Sequence, residues 1–428
     1  MRKNGGLRPG RRAIGRLAAI GAAAVMAAVP IPPLRPQFLQ QSTGVINVEV
    51  PVRVFDGDRF VEDLTLGDFE VLENGQPQKI VAFYFVKRTN IQKEELPVPP
   101  AAAPAAAPRA AGQPVPKTAR TIVLQFEVLE PLPKIDDAVD YFFNEVLQPG
   151  DAVAVVTPRG TYHLKPETVA QAARPEIAQQ IKDRLRADIL AGATGYRRLL
   201  DNIRDAMRLP MEADQKMEII NGFLRQLRDR LGIDTPSLQR MANGLKALEG
   251  QKYVFLFYQK ELALVPDFGE FGDESVGSAM DSLSDAAIAD VHRTPDITPK
   301  MIQQIFSDAS VTANLIFLTQ STLNRAGLDG EQQRGGALEA GRGGLLAKDL
   351  SASIFSSLKQ VAKATGGISE SSGNPFAAFR KAVAATENYY LLYYVPADYR
   401  ADGKFREITV RVKGKGYRVS NRAGYFAN

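Results

Sequence analysis

The chain has 428 residues, 45% hydrophobic and 24% charged, enough apolar material for one large globular domain with smaller companions. It has no Cys and two His, His163 and His292, which excludes disulfides, thiolate nucleophiles and Cys-based zinc or iron–sulfur sites. The formal charge is +5, but the six basic residues of positions 1–28, unaccompanied by any acid, leave the remainder at −1. The basic isoelectric point is therefore no footprint of nucleic-acid binding, and no nucleic-acid partner is expected.

Arg2, Lys3, Arg8, Arg11, Arg12 and Arg16 precede an Ala-rich apolar stretch at 17–29, the pattern of a secretory signal peptide. Residues 1–28 are read as that signal, and the stretch is shorter than the ~20 residues of a membrane span. The expected location is the periplasm or the exterior of a bacterium, with no membrane span once the signal is cleaved. Arg11-Arg12 leaves both the general secretory and the twin-arginine routes open, and an uncleaved N-terminal anchor is the competing reading.

Residues 44–88 read as a small β unit. Positions 45–55 alternate apolar with polar residues, Asp56-Gly57-Asp58 marks a turn, and Asn74-Gly75 is a strong hairpin signal. Residues 89–118 are a linker by composition, with seven Pro and eight Ala between 96 and 117. From 119 the pattern becomes α/β. Residues 121–126 and 152–156 are continuous apolar runs, as in strands buried on both faces, and residues 135–146 between them have helical spacing. A long helical region follows over 167–248, with breaks expected at the glycines of 191–195 and at Leu209-Pro210. Two more buried strands fall at 252–258 and 310–318, then a Gly-rich loop at 323–347 and helices at 351–364 and 376–386. Three strands close the chain, at 389–395, 407–413 and 417–421.

Several segments, in order, resemble a known family. Glu70-Val71-Leu72-Glu73-Asn74-Gly75-Gln76-Pro77-Gln78, Leu147-Gln148-Pro149-Gly150-Asp151-Ala152-Val153-Ala154-Val155 and Gly250-Gln251-Lys252-Tyr253-Val254-Phe255-Leu256 are similar to segments of von Willebrand factor A (VWA)-related proteins of the acidobacterial type. So are Thr365-Gly366-Gly367, Tyr389-Tyr390-Leu391-Leu392-Tyr393-Tyr394 and Arg422-Ala423-Gly424-Tyr425. The resemblance implies an α/β fold: a Rossmann-like VWA sheet wrapped by helices over 119–387, with the small N-terminal β unit and a C-terminal β appendix over 388–428. It also implies partner binding at the C-terminal edge of that sheet, where such domains hold a divalent cation on a DxSxS loop plus a later Thr and Asp.

Here the ligand set is degenerate. Glu127 stands at the acid position, but Leu129 and Pro131 stand where the two Ser belong, and Tyr258-Gln259-Lys260 where the Asp belongs. Only Thr194 is left to match the Thr. A hard divalent cation needs about six oxygen ligands, so no metal and no cofactor is expected. The candidate binding edge is Glu127, Glu130, Thr194 and Gln259. No nucleophile motif, P-loop or dinucleotide fingerprint is present. The acids of 267–285 suit a solvated loop, and Asp136, Asp137 and Asp140 suit a helix start. The chain is thus expected to be no enzyme but an envelope interaction module for a protein or glycan partner. The alternative is a structural protein that self-associates through its β units.

Overall fold

The computed structural model describes residues 46–96, 114–128, 132–171, 173–231, 235–259, 262–266, 299–318, 337–339, 345–349, 351–414 and 416–428. The segment read as a signal, residues 97–113 of the stretch read as a linker, His292, Glu130 and the acidic stretch 267–285 lie outside them. All described residues belong to one compact unit, Val45–Asn428.

The N-terminal strands are β1 (Val48–Asp56), β2 (Arg59–Phe60), β3 (Phe69–Glu73), β4 (Gln76–Gln78), β5 (Ile80–Lys87) and β6 (Asn90–Glu95). β6 occupies the start of the segment read as linker; its alternating exposed residues carry little apolar signal. The C-terminal strands are β16 (Asn388–Tyr394), β17 (Phe405–Val412), β18 (Arg418–Asn421) and β19 (Gly424–Phe426). They complete the N-terminal sheets, in the orders β18-β1-β16-β5-β6, with β2 on β1, and β19-β17-β3-β4. The physical reason lies in β16: six of its seven residues are buried, so it needs cover on both faces and takes a central place. Val50, Val52, Val54, Val71, Phe83, Tyr390, Leu392, Ile408 and Val410 fill the space between the two sheets. The result is a sandwich of two antiparallel sheets.

The α/β part has β7 (Arg120–Glu127), β8 (Ala152–Val156), β10 (Gln251–Tyr258), β12 (Val311–Phe317) and β15 (Ser369–Ser371) in parallel, with β9 (Thr161–Leu164) antiparallel on the β8 edge. The order β15-β12-β10-β7-β8-β9 is the doubly wound one, with chain order reversing between β7 and β10. Helices α1 (Pro133–Tyr141), α3 (Arg174–Met207) and α8 (Pro375–Glu387) cover one face through Ile135, Ile181, Leu185 and Phe379. Helices α5 (Thr235–Lys246), α6 (Pro299–Asp308) and α7 (Ser351–Ala364) cover the other through Ala242, Phe306 and Val361. The short α2 (Pro166–Gln171) precedes α3, and α4 (Ala213–Leu231) packs along it. A three-stranded antiparallel sheet of β11 (Leu262–Pro266), β14 (Leu345–Asp349) and β13 (Ala337–Glu339) draws two strands from the stretch read as a Gly-rich loop.

Two local expectations change. α3 runs unbroken through Gly192 and Gly195, although each glycine costs a helix about 1 kcal/mol relative to Ala. Buried Ile189, Ala193, Tyr196, Leu199 and Leu200 keep an apolar stripe through that region, and the glycines admit Pro158 and Arg230 close to the helix backbone. The second break does occur, at residues 208–212. α1 ends at Tyr141 and continues as a wider π turn over Phe142–Val146, which buries both Phe142 and Phe143.

The sandwich meets the α/β sheet at its N-terminal edge. Glu49 of β1 accepts hydrogen bonds from Tyr393 Oη (2.6 Å) and from Gln251 Nε2 at the start of β10 (2.8 Å). Arg422 donates to Ser310 Oγ and the Phe426 amide to Asp308 Oδ1, tying the last strands to the end of α6.

Candidate binding edge of the parallel sheet

The opposite edge of the sheet is formed by the carboxyl ends of its strands. In open α/β sheets ligands bind there, at the point where strand order reverses. Glu127 and Tyr258 end β7 and β10 in register. The Gln259 amide donates to the Glu127 carbonyl (2.9 Å), and the Leu318 amide to the Tyr258 carbonyl (3.0 Å). The structure therefore brings two sequence-predicted residues, Glu127 and Gln259, side by side at the switch point.

The Glu127 carboxylate accepts a hydrogen bond from Gln125 Nε2 (3.1 Å). Sequence reasoning passed over Gln125, which sits inside an apolar strand. Burial is the signal that marks it: the residue is 8% exposed and its Oε1 has no partner. Gln259 is likewise buried, at 4% exposure.

Thr194 does not join this pair as a loop ligand. It lies within α3 with an exposed side chain, and its hydroxyl donates to the Leu190 carbonyl one turn back (2.9 Å). The second carboxylate at this end of the sheet is instead Asp188 of α3. It accepts from Thr157 Oγ1 (2.6 Å), just beyond β8, and from Tyr162 Oη (2.7 Å) on β9. The bond to Asp188, with a smaller contribution from burial, holds the Tyr162 hydroxyl above its ordinary pKa. No sequence motif announces Asp188, because its partners are 31 and 26 residues away. His163 is exposed on β9. Leu129, Glu130, Pro131 and Lys260 lie outside the described residues.

The Glu127 carboxylate, half-buried beside Gln125, is the polar side chain of this edge with acceptor capacity toward a partner. Among the described residues no three His, Asp or Glu side chains gather as a metal site, and no helix is long and apolar enough to cross a membrane. A separate groove of about 440 Å³, lined by Phe55, Phe60, Ile368, Glu370, Lys381 and Arg418, opens between the sandwich and β15. Along it Lys381 pairs with Glu370 (3.0 Å), Arg418 lies 4.3 Å from the centroid of the Phe55 ring, and Asp58 adds a carboxylate.

No family profile matches the chain, and no curated protein does. Two solved structures are similar at 8% identity. One is an aerotolerance-related membrane protein from Bacteroides fragilis bearing multiple mutations to serine. The match covers 62% of this chain and 98% of that one, with a TM-score of 0.26. The other is the human COPII-coat protein Sec24c, with 82% of this chain and 53% of that one covered and a TM-score of 0.30.

Proposed function

We propose that this protein is an exported, non-catalytic interaction module of the bacterial cell envelope. It binds a protein or glycan partner at the strand-end edge of a VWA-like sheet, without a metal ion. The observation that supports the reading is the pairing of Glu127 with Gln259 at the β7–β10 switch point, on the edge opposite the one occupied by the β sandwich. The motifs shared with VWA-related proteins point the same way, and the basic N-terminus supports export. At this edge the partner meets carboxylate and amide groups, which suits hydrogen-bonding peptides or sugars.

The test is capture from an envelope extract by the protein without residues 1–28, beside a Glu127→Arg variant whose circular dichroism and melting match the parent. A partner retained by the parent and lost by the variant is the expected result; equal capture by both would move the site elsewhere. A thermal melt with millimolar Mg²⁺, Mn²⁺ or Ca²⁺ is expected to show no shift, since a bound ion raises stability by mass action. Self-association through the β units is disfavoured by the sheet edges. β6 carries Lys93, Glu94 and Glu95, and β18 is four residues long with Arg418 exposed, both features that blunt strand pairing.

A further inference from the structure

Donors outnumber acceptors where the sandwich meets the α/β sheet. Arg53, Arg120, Lys252 and Arg422 are 2%, 6%, 6% and 8% exposed. Arg120 is neutralised by Asp151, and Glu49 lies close enough to Lys252 and Arg422 to stabilise both charges. Arg53 receives no carboxylate. Its Nη1 donates to the Gly366 carbonyl (3.1 Å), while Nε and Nη2 have no partner.

Around that guanidinium stand two tyrosines from different sheets. Its central carbon is 5.9 Å from the ring centroid of Tyr253, on β10, and 5.9 Å from that of Tyr389, on β16. Tyr253 is 3% exposed and Tyr389 fully buried; the Tyr253 oxygen lies close enough to Arg53 to accept from it, and neither hydroxyl proton has an acceptor. Burial keeps both hydroxyls protonated well into the alkaline range, against the opposing pull of Arg53 and Arg120, so they remain donors.

A buried cation without a counter-charge is strongly unfavourable, and orphaned buried donors call for an acceptor. The groups left over here are all able to donate: guanidinium N–H on one side, phenolic O–H on the others. A water molecule would accept from the guanidinium and donate to the phenolic oxygens, but it would leave the buried charge of Arg53 uncompensated. An anion accepts from all of them and supplies the missing charge. The near-complete burial of all three residues excludes a polymer or a lipid headgroup and leaves a small ion as the fitting acceptor.

We propose that the protein binds a small monovalent anion of the halide class between Arg53, Tyr253 and Tyr389, locking the β sandwich onto the α/β sheet. The experiment is thermal unfolding of the protein in sodium chloride against sodium gluconate at matched ionic strength, with bromide crystallography alongside. Chloride is expected to raise the melting temperature in a saturable way that gluconate does not. An anomalous bromide peak is expected beside Arg53. Tyr389→Phe, which keeps the ring and removes the hydroxyl, should raise the half-saturating chloride concentration roughly tenfold at most, the size of one hydrogen bond. Arg53→Met should remove the chloride effect. If Arg53→Met does not fold, Tyr389→Phe and Tyr253→Phe carry the test. Identical melting in the two salts would overturn the proposal. So would a chloride effect undiminished in these variants, which would mean surface ion binding only, or a water in place of bromide.

Discussion

Changing Asp151→Ala should destabilise the protein more than its small size suggests. Asp151 is 1% exposed and accepts three hydrogen bonds: from Arg120 Nε (2.9 Å), from Arg120 Nη2 (2.5 Å) and from the Gln148 amide (2.7 Å). Arg120 opens β7, and the pair fastens the start of that central strand to the turn before β8. Burial alone would lower the Arg120 pKa; the bonds and charge of Asp151 outweigh it and raise it. Removing the carboxylate leaves the guanidinium buried with the Val146 carbonyl (2.9 Å) as its remaining hydrogen-bond partner. Breaking a buried ion pair from one side typically costs about 3–5 kcal/mol. Asp151→Asn should cost less, since it retains an acceptor oxygen. The double change Arg120→Met/Asp151→Leu should recover all but about 1 kcal/mol, the residue being the unpaired Gln148 amide. Urea denaturation read by circular dichroism gives each value from the midpoint and slope. The reasoning is refuted if Asp151→Ala costs under about 1 kcal/mol, or if the double variant is no more stable than the single one.

Other changes probe the remaining layers. Phe379→Ala removes a fully buried ring that packs on Phe255, Phe257 and Phe142; a loss of about 3–5 kcal/mol is expected by the same urea assay. Gly367→Ala would place a Cβ on the Ala313 carbonyl of β12, and a loss of about 1–3 kcal/mol in unfolding free energy should follow. Tyr390, Tyr393, Tyr394 and Tyr425 are all held above the ordinary tyrosine range. Burial is the leading cause, with Glu49 adding at Tyr393 and Glu73 at Tyr394 and Tyr425. The folded state therefore keeps these protons where the unfolded chain, titrating near pH ~10, gives them up. Their contribution to stability is complete below that pH and falls as pH rises above it. Tyrosinate absorbance should consequently appear together with the loss of circular dichroism; buried tyrosines ionising near pH ~10 in an intact fold would contradict this.

The parallel strands were legible because burial on both faces writes itself as a continuous apolar run. β7, β10 and β12 read that way along almost their whole lengths. β9 and β15 did not, being short edge strands with Ser, Thr and His among their residues. Strand pairing across the chain was the larger gap. Ile408 and Val410 reveal by alternation that β17 has one buried face, but alternation is silent on the partner. That partner is β3, whose Val71 pairs with Val410 from 339 residues away. Of the site, the sequence marked the switch-point pair Glu127 and Gln259, whose places follow from strand ends. It missed Gln125 and Asp188, whose roles exist only through side chains brought together by folding.

The same division separates the two ends of the sheet. The N-terminal edge is tied into the sandwich by polar contacts: Glu49 with Gln251, Arg422 with Ser310, and Arg53 with its central carbon 5.9 Å from the ring centroids of Tyr253 and Tyr389. The contacts to Gln251, Ser310 and Tyr253 cross between layers, so a change on one side strands a polar group on the other, at about 1–3 kcal/mol for a neutral group and more for a charged one. The strand-end edge carries a lighter constraint. Its backbone bonds between Gln259 and Glu127 and between Leu318 and Tyr258 hold whatever side chains stand there. Carboxylate, amide or apolar residues can be exchanged at that edge while the ladder beneath stays intact. A parallel sheet that keeps this ladder therefore retains its platform, and under the proposed function specificity rests on side chains such as that of Glu127.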